Sequence, residues 1–326
     1  MDASDGLILH ALQIAPRASF RRIAGVVGID EQAVARRYHA LRRAGVLRVV
    51  GVVNPWVHGE CQWVVRVRAK PDDLQRLAEA LVRRPDVTHA NVLSGGTELV
   101  CVVRAPVGDS GDGLLSRLPR TSTVLDMRID LILSVFGSPT GTQWTGHGHR
   151  LDADRIVALH PADMPHAERP MAPAPEDQPL LDALADDGRV PDSALARLTG
   201  WSPARVKRRL AALQTSGTLT YDLDLLPERL GFAMNAIIWM SVRPQHLTSV
   251  GERIAGHADV ASVAAVSGPA NLMAVVICRD TEHLYRYLAE HLGSVELIES
   301  YEVSVRSKRL KQVGSLVSAG RLVRVR

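Results

Sequence analysis

The sequence contains few cysteines and no long apolar run. Among 326 residues there are three cysteines, Cys61, Cys101 and Cys278, with no CxxC pair. This excludes a disulfide framework and indicates a reducing compartment. No uncharged apolar run is long enough to span a bilayer. The opening Met1-Asp2-Ala3 lacks the basic start of a signal peptide. We therefore expect a soluble, cytoplasmic protein without a membrane partner.

Motifs for catalysis and metal binding are also missing. There is no Gly-rich phosphate loop, no GxSxG and no Cys/His pair with an evident orienting acid. His147, His149, His160 and His166 have neither cysteine partners nor i, i+4 spacing, so we interpret them as solvated linker side chains. The five tryptophans are scattered along the sequence, and we expect each of their side chains to serve in packing. The sequence thus predicts a protein that is not an enzyme and that holds no metal or cofactor.

Lysine is scarce as well. Only four of the 39 basic residues are lysines, and the rest are arginines, which form bidentate contacts with phosphates and guanines. The net charge is +4, and residues 1–48 carry eight arginines against four acids. From Arg306 onward there are seven basic residues and no acid. This uneven placement favours a polyanionic partner. The apolar content of 46% excludes a wholly disordered chain.

The sequence repeats itself. Residues 5–48 align with 177–220 without gaps, at an offset of 172, with 14 identities in 44 positions. A second block, SGGTELVCVV from Ser94, resembles SGPANLMAVV from Ser267 at an offset of 173. Two ungapped blocks in the same order indicate a tandem duplication of a unit of about 140 residues. The identical pairs include Asp5/Asp177, Arg17/Arg189, Arg36/Arg208 and Arg37/Arg209.

Each copy begins with a pattern of three helices. In the first copy Asp5 is the expected N-cap of the first helix. Ser19 begins the second helix, Gly28 ends it, and Asp30 caps the third. In the second copy Gly200 ends one helix and Ser202 begins the next. Two helices joined by a short Gly-containing turn, with a basic outer face, form a helix-turn-helix pattern.

After each of these patterns the hydrophobic period becomes that of strands. The first copy predicts strands at 61–68, 87–93, 98–104 and 124–135, with helices at 72–83 and 114–118. The second copy repeats this βαββαβ order, with strands at 236–242, 260–266, 271–278 and 297–305 and helices at 248–257 and 282–292. This order is typical of a ferredoxin-like unit. We predict an α+β fold of two repeats, each a winged-helix-like helix-turn-helix domain followed by a βαββαβ effector domain. The predicted domains are helix-turn-helix 1–50, βαββαβ 51–137, a Pro- and His-rich linker 138–176 with a short helix at 152–159, helix-turn-helix 177–222, βαββαβ 223–313 and a basic tail 314–326.

The second helix of such a motif enters the major groove of DNA. Because the basic helix face occurs in both aligned copies, we interpret it as a surface that binds double-stranded DNA rather than as an ordinary solvated face. Asp30 and Glu31 nevertheless place two acids where the helix would approach the duplex. Capping chemistry explains these acids, and a contact from Glu31 to cytosine is the alternative. Arg17 is a further candidate for a phosphate contact. The predicted DNA-binding residues are Arg21, Arg22, Gln32, Arg36, Arg37 and Arg43 in copy one, and Ser202, Arg205, Lys207, Arg208 and Arg209 in copy two.

These residues resemble the leucine-responsive regulatory protein/AsnC (Lrp/AsnC) family of transcription regulators. The resemblance implies a sequence-specific DNA-binding regulator associated with the nucleoid, whose effector domains form oligomers. Two fused units could instead form a dimer-like pair within one chain. The resemblance lies in Asp5…Ile8-Leu9…Leu12, Ala24…Val27-Gly28, Val34…Arg36-Arg37…Leu41…Gly45-Val46-Leu47, Asn54-Pro55 and Ser94-Gly95.

The resemblance also implies an amino-acid-like effector at the family's Ser-Gly-Asp-x-Asp turn. The first acid of that turn is replaced by Gly96 or Pro269, and the second by Glu98 or Asn271. A carboxylate there could hold an ammonium group, whereas the alternative is a β-turn that needs glycine for its dihedrals. The corresponding residues are Ser94, Gly95, Gly96 and Glu98, and Ser267, Gly268 and Asn271.

Two other functions stay open. Sirohaem decarboxylases resemble this fold and bind a tetrapyrrole, and the candidate residues for such a site are His89, Asn91, Arg66 and Arg68. The other alternative is a co-regulator with degenerate DNA helices, for which we expect no salt-dependent binding to a duplex.

Overall fold

The computed structural model describes residues 2–108, 113–118, 124–137, 144–159 and 170–324. The α-helices are α1 Ala3–Ile14, α2 Phe20–Val27, α3 Glu31–Arg43, α4 Pro71–Val82, α5 Leu114–Arg117, α6 Ala153–Leu159, α7 Gln178–Asp186, α8 Asp192–Thr199, α9 Pro203–Thr215, α10 Leu247–Ala255 and α11 Thr281–Arg286, which continues as a π-helical turn, Tyr287–Leu292. The strands are β1 Leu47–Val53, β2 Glu60–Ala69, β3 Val87–Leu93, β4 Glu98–Pro106, β5 Val124–Phe136, β6 Leu219–Leu225, β7 Met234–Val242, β8 Val260–Val266, β9 Leu272–Cys278, β10 Ile298–Gln312, β11 Ser315–Ser318 and β12 Arg321–Arg324.

Several helices begin at a side chain that accepts a hydrogen bond from a free backbone N–H group. Ser19 and Asp30 cap α2 and α3, and Ser202 caps α9, as predicted. The N-cap of α1 is Asp2, so the prediction for Asp5 is wrong. Asp5 lies in the first turn, where it completes a capping box with Asp2.

The two helix-turn-helix units share one hydrophobic core. Each contributes its inward face, and the side chains from both halves form one contiguous cluster. β1 pairs with β6 in an antiparallel ribbon running from Leu47↔Leu225 to Val53↔Leu219, so neither strand forms a separate wing. The buried residues of this core include Leu12, Ile23, Val34, Leu184, Leu195 and Val206.

The two βαββαβ units close on each other within the chain. The first sheet has the strand order β3-β4-β2-β5 and the second β8-β9-β7-β10. β5 also pairs with β8, starting at Ile132↔Val266, and β10 also pairs with β3, starting at Arg306↔Leu93. These pairings close a ring of eight antiparallel strands. The pair of fused units therefore forms a dimer-like body inside a single polypeptide.

Corresponding positions of the two repeats meet inside this ring. The inner cluster contains three pairs of residues separated by the repeat offset. The outer faces are covered by α4 and α5 on one sheet and by α10 and α11 on the other. The inner pairs are Val64 with Ile237, Leu93 with Val266, and Val100 with Met273.

The predicted linker is partly built into the core. The predicted helix is confirmed as α6, which packs against α1 and α2. Trp144 is fully buried and lies edge-on to Phe232, with 4.6 Å between ring centroids. His147 is buried beside Trp144, so the expectation of solvated histidines is wrong there. A spacer cannot stay solvated when its large apolar side chains fill a gap between domains. His160 and His166 lie outside the described residues.

The predicted basic tail is a folded hairpin rather than a solvated end. β10 turns into β11 and β12, and Leu322 is buried with its N–H donating to Gly45 O at 2.8 Å. Arg48 Nη1 donates to Ser315 Oγ at 3.0 Å. The hairpin therefore fastens the end of the chain to the first helix-turn-helix unit. Within the described ranges, no helix is long and apolar enough to cross a membrane.

Candidate nucleic-acid interface

Exposed cationic side chains lie on both helix-turn-helix units. In copy one α2 exposes two arginines, and α3 exposes a glutamine and two arginines. In copy two the N-terminal half of α9 exposes a lysine and two arginines beside its serine cap. Some of the exposed residues predicted to contact DNA form no ion pair with any described residue: Arg21, Arg22, Gln32, Arg36, Arg43, Ser202, Lys207 and Arg208.

The arginine pair that both copies share divides into two roles. Arg36 and its counterpart Arg208 are exposed. Arg37 Nη1 instead lies 2.7 Å from Asp2 Oδ2 and 2.8 Å from Asp5 Oδ1. The hydrogen bonds that Arg37 donates to Asp5 and Asp2 raise the pKa of Arg37. Arg37 is therefore committed to holding α3 against the start of α1.

The second copy repeats this arrangement at the corresponding positions. Arg209 Nε donates to Asp177 Oδ1 at 2.7 Å, and its Nη2 lies 2.5 Å from Asp177 Oδ2. The hydrogen bond with Asp177 raises the pKa of Arg209, and the same bond lowers the pKa of Asp177. Arg37 and Arg209 thus each form an ion pair within their own helix-turn-helix unit, which occupies the guanidinium groups predicted to contact DNA.

The predicted phosphate contact of Arg17 is replaced by a contact between the two copies. Arg17 Nη1 donates to Gly188 O at 2.6 Å, and its Nη2 lies 3.1 Å from Asp192 Oδ1. Arg205 is also engaged, although it is half exposed. Its Nη2 lies 2.8 Å from Glu176 Oε2, and its guanidinium stacks 4.2 Å from the ring centre of Trp201.

Copy one carries a cluster of basic side chains on α3. Arg36, His39, Arg42 and Arg43 line a shallow surface depression. Arg42 Nη2 lies 2.7 Å from Asp187 Oδ2 of the second copy. A phosphate oxygen could bind here because unpaired guanidinium groups remain on one exposed helix face.

The acids at the start of α3 have a structural explanation. Asp30 Oδ1 accepts hydrogen bonds from Gln32 N at 2.7 Å and from Ala33 N at 3.1 Å. This carboxylate is therefore used as the N-cap. Glu31 is exposed in the first turn of the helix, where its negative charge complements the helix dipole.

The predicted effector turn in copy one has the backbone of a tight turn. Ser94, Gly95 and Gly96 have φ values of 51°, 69° and 96°. Residues with a Cβ rarely adopt such angles, which explains the two glycines. Gly95 N donates to Ser307 Oγ of the other repeat at 3.1 Å. The turn therefore contributes to the contact between the repeats.

The carboxylate of Glu98 is already bound by protein groups. It is 5% exposed, and it accepts hydrogen bonds from Arg66 Nε at 2.7 Å and Ser304 Oγ at 3.1 Å. Arg66 also lies 2.8 Å from Glu302 and stacks 4.3 Å from the ring centre of Trp239. Arg66 and Trp239 occupy corresponding positions of the two repeats, so this network lies where the two sheets face each other.

The turn in copy two is filled in a similar way. Asn271 accepts from Val242 N at 3.0 Å and donates to Val242 O at 2.7 Å. Ser267 Oγ accepts from Leu131 N at 2.9 Å. A Cβ at Gly268 would collide with the carboxylate of Asp130. Neither turn presents an unoccupied carboxylate to a ligand.

The structure separates the residues predicted for a tetrapyrrole site. His89 and Asn91 line a cleft, whereas Arg66 belongs to the network around Glu98. Burial, followed by the charge of Arg309, lowers the pKa of His89 to about 4, so its imidazole is neutral at pH 7. Among the residues that the structure describes, no group of three His, Cys, Asp or Glu side chains could hold a metal ion.

Known proteins match both kinds of domain. A model of the AsnC-type helix-turn-helix domain matches residues 1–42 and 177–214, and a model of the Lrp/AsnC ligand binding domain matches 235–316. The HTH-type transcriptional regulator LrpA of Pyrococcus abyssi is 28% identical over 136 residues, which cover 41% of this chain and 96% of that protein. The HTH-type transcriptional regulator AldR of Mycolicibacterium smegmatis is 28% identical over 144 residues, covering 43% of this chain and 84% of that protein.

A solved structure matches the whole arrangement. The sirohaem decarboxylase NirDL superposes with a TM-score of 0.62 at 16% identity, and the match covers 96% of this chain and 93% of that one. Its complex with an iron-uroporphyrin III analogue gives a TM-score of 0.59 at 17% identity, covering 94% and 92%. At this identity the likeness concerns the fold alone. The helix-turn-helix model matches twice along the sequence and the ligand-binding model matches once, so the chain carries the domains of the Lrp/AsnC family in an order that fits a tandem duplication.

Proposed function

We propose that this protein is a DNA-binding transcription regulator whose two helix-turn-helix units bind one duplex as a single body, and that it is not an enzyme. The observation that carries the proposal is the division of the shared arginine pair. Arg37 and Arg209 fix the recognition helices, and Arg36 and Arg208 remain exposed on them. If this helix face were only solvated, nothing would require an exposed arginine next to the ion-paired arginine in both copies.

The arrangement of the two units suggests what kind of site they read. Because they share one core, their separation is fixed, and we expect half-sites about 34–36 Å apart, or a multiple of that distance. The exposed residues form the proposed contact surface, with Arg21, Arg22 and Arg43 on phosphates and Gln32, Arg36, Ser202, Lys207 and Arg208 closest to base edges. Such a protein would work in the cytoplasm, bound to the nucleoid.

The test is binding of the full chain to a duplex selected from genomic DNA, measured by fluorescence anisotropy at several salt concentrations. The variant Arg36→Ala/Arg208→Ala should lose about 1–3 kcal/mol per arginine. If these residues contact phosphates, the slope of log K against log salt should fall by about 0.9 per lost contact.

A matched control removes the same charge elsewhere. Arg76→Ala/Arg286→Ala takes two exposed arginines from α4 and α11 of the effector domains. This control should bind like the unmodified chain. Equal losses in both double variants would contradict the proposed surface, because only overall charge would then matter.

The effector response is a separate element of the proposal. We propose that an amino-acid-like effector, if it acts on this protein, does not use Glu98 or Asn271 as its ammonium ligand. The hydrogen bonds described above occupy both side chains.

The second candidate function is a tetrapyrrole enzyme. It is favoured by the fold match to NirDL over nearly the whole chain and by His89 and Asn91 in one cleft. Addition of iron-uroporphyrin to the purified chain tests it, because a bound iron porphyrin shifts and sharpens its Soret band. A saturable spectral change without salt-dependent duplex binding would favour the enzyme over the regulator. The co-regulator alternative predicts neither a spectral change nor duplex binding.

A further inference from the structure

A large cleft opens at one end of the eight-stranded ring. Its volume is about 770 Å³, and it lies between the inner face of the sheets and the β1–β6 ribbon. The floor is the apolar cluster that fills the ring. A barrel mouth of this size is a common place for a small-molecule site.

One side of the cleft is apolar. Side chains from β5, β7, β9 and the buried end of the linker supply it. An aliphatic or aromatic body would therefore be removed from water on entering the cleft. The apolar wall includes Ile132, Trp144, Ile237, Met273, Val275 and Ile277.

Another part of the lining is cationic. Its basic side chains come from β10 and from β4, which is separated from β10 by β3 in the sheet, and the whole lining holds four basic side chains against one acid, Asp222 of β6. Burial raises the pKa of Asp222 to about 6, so this acid carries a negative charge above that pH. The basic residues of this wall are Arg104, Arg306, Arg309 and Lys311.

Three of these cations already have partners in the protein. Arg309 Nη2 lies 3.0 Å from Glu228 Oε1, and Lys311 Nζ donates to the backbone oxygens of Val82 and Arg84 at 3.0 and 2.7 Å. Arg104 Nη2 donates to Pro85 O at 3.0 Å.

Arg306 differs from the other three. Its side chain is 5% exposed, and its Nε and Nη1 make no hydrogen bond with any residue that the structure describes. The nearest acidic oxygen to Nη1 is Glu228 Oε1 at 3.8 Å, which Arg309 already occupies. Desolvation lowers the pKa of Arg306 to about 9, so the guanidinium stays charged at neutral pH. A buried charge without a hydrogen-bonded partner destabilises a fold unless a ligand compensates it.

A second polar group without a partner lies close by in the sheet. Asn91 pairs with Arg309 in the β3–β10 register, and its buried Oδ1 accepts no hydrogen bond from the described part of the chain. Arg306 and Asn91 both line the cleft. Together they supply the polar side of the cleft with an unused charged donor and an unused acceptor.

We infer that the cleft binds an amphipathic organic anion. A carboxylate or another oxyanion pairs with Arg306, the amide oxygen of Asn91 accepts a hydrogen bond from a polar hydrogen of the ligand, and the apolar body lies against the apolar lining. This site is separate from the Ser94 and Ser267 turns, and the inference does not depend on DNA binding. A free aliphatic carboxylate and a tetrapyrrole carboxylate share this chemistry, so both are tested.

The experiment uses the full chain and 8-anilino-1-naphthalenesulfonate, a fluorescent probe with one sulfonate on an aromatic body. We expect saturable binding and displacement by dodecanoate. Dodecanol should displace the probe at least ten times less effectively, and inorganic phosphate alone should not displace it. Displacement by iron-uroporphyrin but not by dodecanoate would assign the carboxylate to a tetrapyrrole. Equal displacement by dodecanol and dodecanoate would overturn the inference, since the charge would then play no role.

Variants separate a ligand-binding arginine from a structural one. Arg306→Met should weaken probe binding at least tenfold and should raise the melting temperature of the free protein, because it removes a buried charge that shares its one acidic neighbour, Glu228, with Arg309. Lys308→Met, on the same strand but exposed and outside the cleft, should change neither quantity. A lower melting temperature or unchanged probe affinity in Arg306→Met would overturn the inference. Duplex affinity of this variant should stay unchanged, so the outcome is independent of the regulator proposal.

Discussion

Arg17 and Arg189 occupy the same position in the two repeats, and each donates hydrogen bonds to the backbone of the other repeat. Arg17 Nη1 lies 2.6 Å from Gly188 O, and Arg189 Nη1 lies 2.5 Å from Pro16 O. Arg189 also stacks 4.7 Å from the ring centre of Phe20. This reciprocal pair joins the two helix-turn-helix units through carbonyl groups in the loops between their first and second helices.

We predict that Arg189→Ala lowers the free energy of unfolding by about 2 kcal/mol, because it leaves the carbonyls of Pro16 and Ala18 without donors. Urea denaturation of the full chain measures this loss. Affinity for a two-half-site duplex should fall as well, while affinity for a single half-site should hardly change. Arg197→Ala, an exposed arginine on α8, is the control and should be neutral. Equal stability of both variants would argue against the reciprocal pair.

A second prediction concerns the stability of the fold at acidic pH. Burial lowers the pKa of His10 and of His147 to about 4, so both are neutral in the folded protein at pH 7. In the unfolded chain they titrate near 6.5. The unfolded state thus binds more protons between these values, and stability should fall as the pH drops from about 6.5 to 4, by up to about 3 kcal/mol per histidine.

The variant His10→Asn tests this assignment. His10 Nδ1 accepts a hydrogen bond from Leu151 N at 2.9 Å, and an asparagine oxygen can keep that bond without titrating. The curve of unfolding free energy against pH should be flatter for His10→Asn than for the unmodified chain. His246→Asn, which removes a half-buried imidazole just before α10, serves for comparison. Parallel curves for all three proteins would show that His10 does not carry the acid sensitivity.

A third prediction concerns Glu98. Glu98→Ala should lower stability by about 2 kcal/mol, since it removes a buried partner of Arg66 and leaves the hydroxyl of Ser304 without its acceptor. Glu302 still pairs with Arg66, which limits the loss. Any increase in melting temperature caused by added amino acids should persist from the lower baseline. Disappearance of that increase in Glu98→Ala would instead place the ammonium group on this carboxylate.

Local chemistry explains why much of the fold could be predicted from the sequence. Asp30, Ser19 and Ser202 cap helices through contacts within three residues, so their roles are visible in the sequence. β3 and β8 have the predicted bounds because they are apolar runs enclosed by turns. The repeat predicted two similar units, and their order βαββαβ is confirmed.

Contacts between distant segments of the chain could not be read in this way. The strand pattern predicts an end near Val305 for β10, but this strand continues to Gln312, since its second half pairs with β3, far away in sequence. The exposed and structural members of the arginine pair are adjacent and look alike. One signal did exist: Asp5 and Asp177 are repeated together with Arg37 and Arg209, which is the pattern of an ion pair kept in both copies.

The closure of the strand ring has a consequence for synthesis. β3 is made early, yet the partner that covers its open edge is the second half of β10, which emerges from the ribosome only after nearly the whole chain. Until then β3 presents unpaired backbone groups that could recruit other nascent chains. A premature stop before Ile298 would leave both β3 and β7 uncovered, so truncated products of this gene should aggregate rather than accumulate as half-proteins.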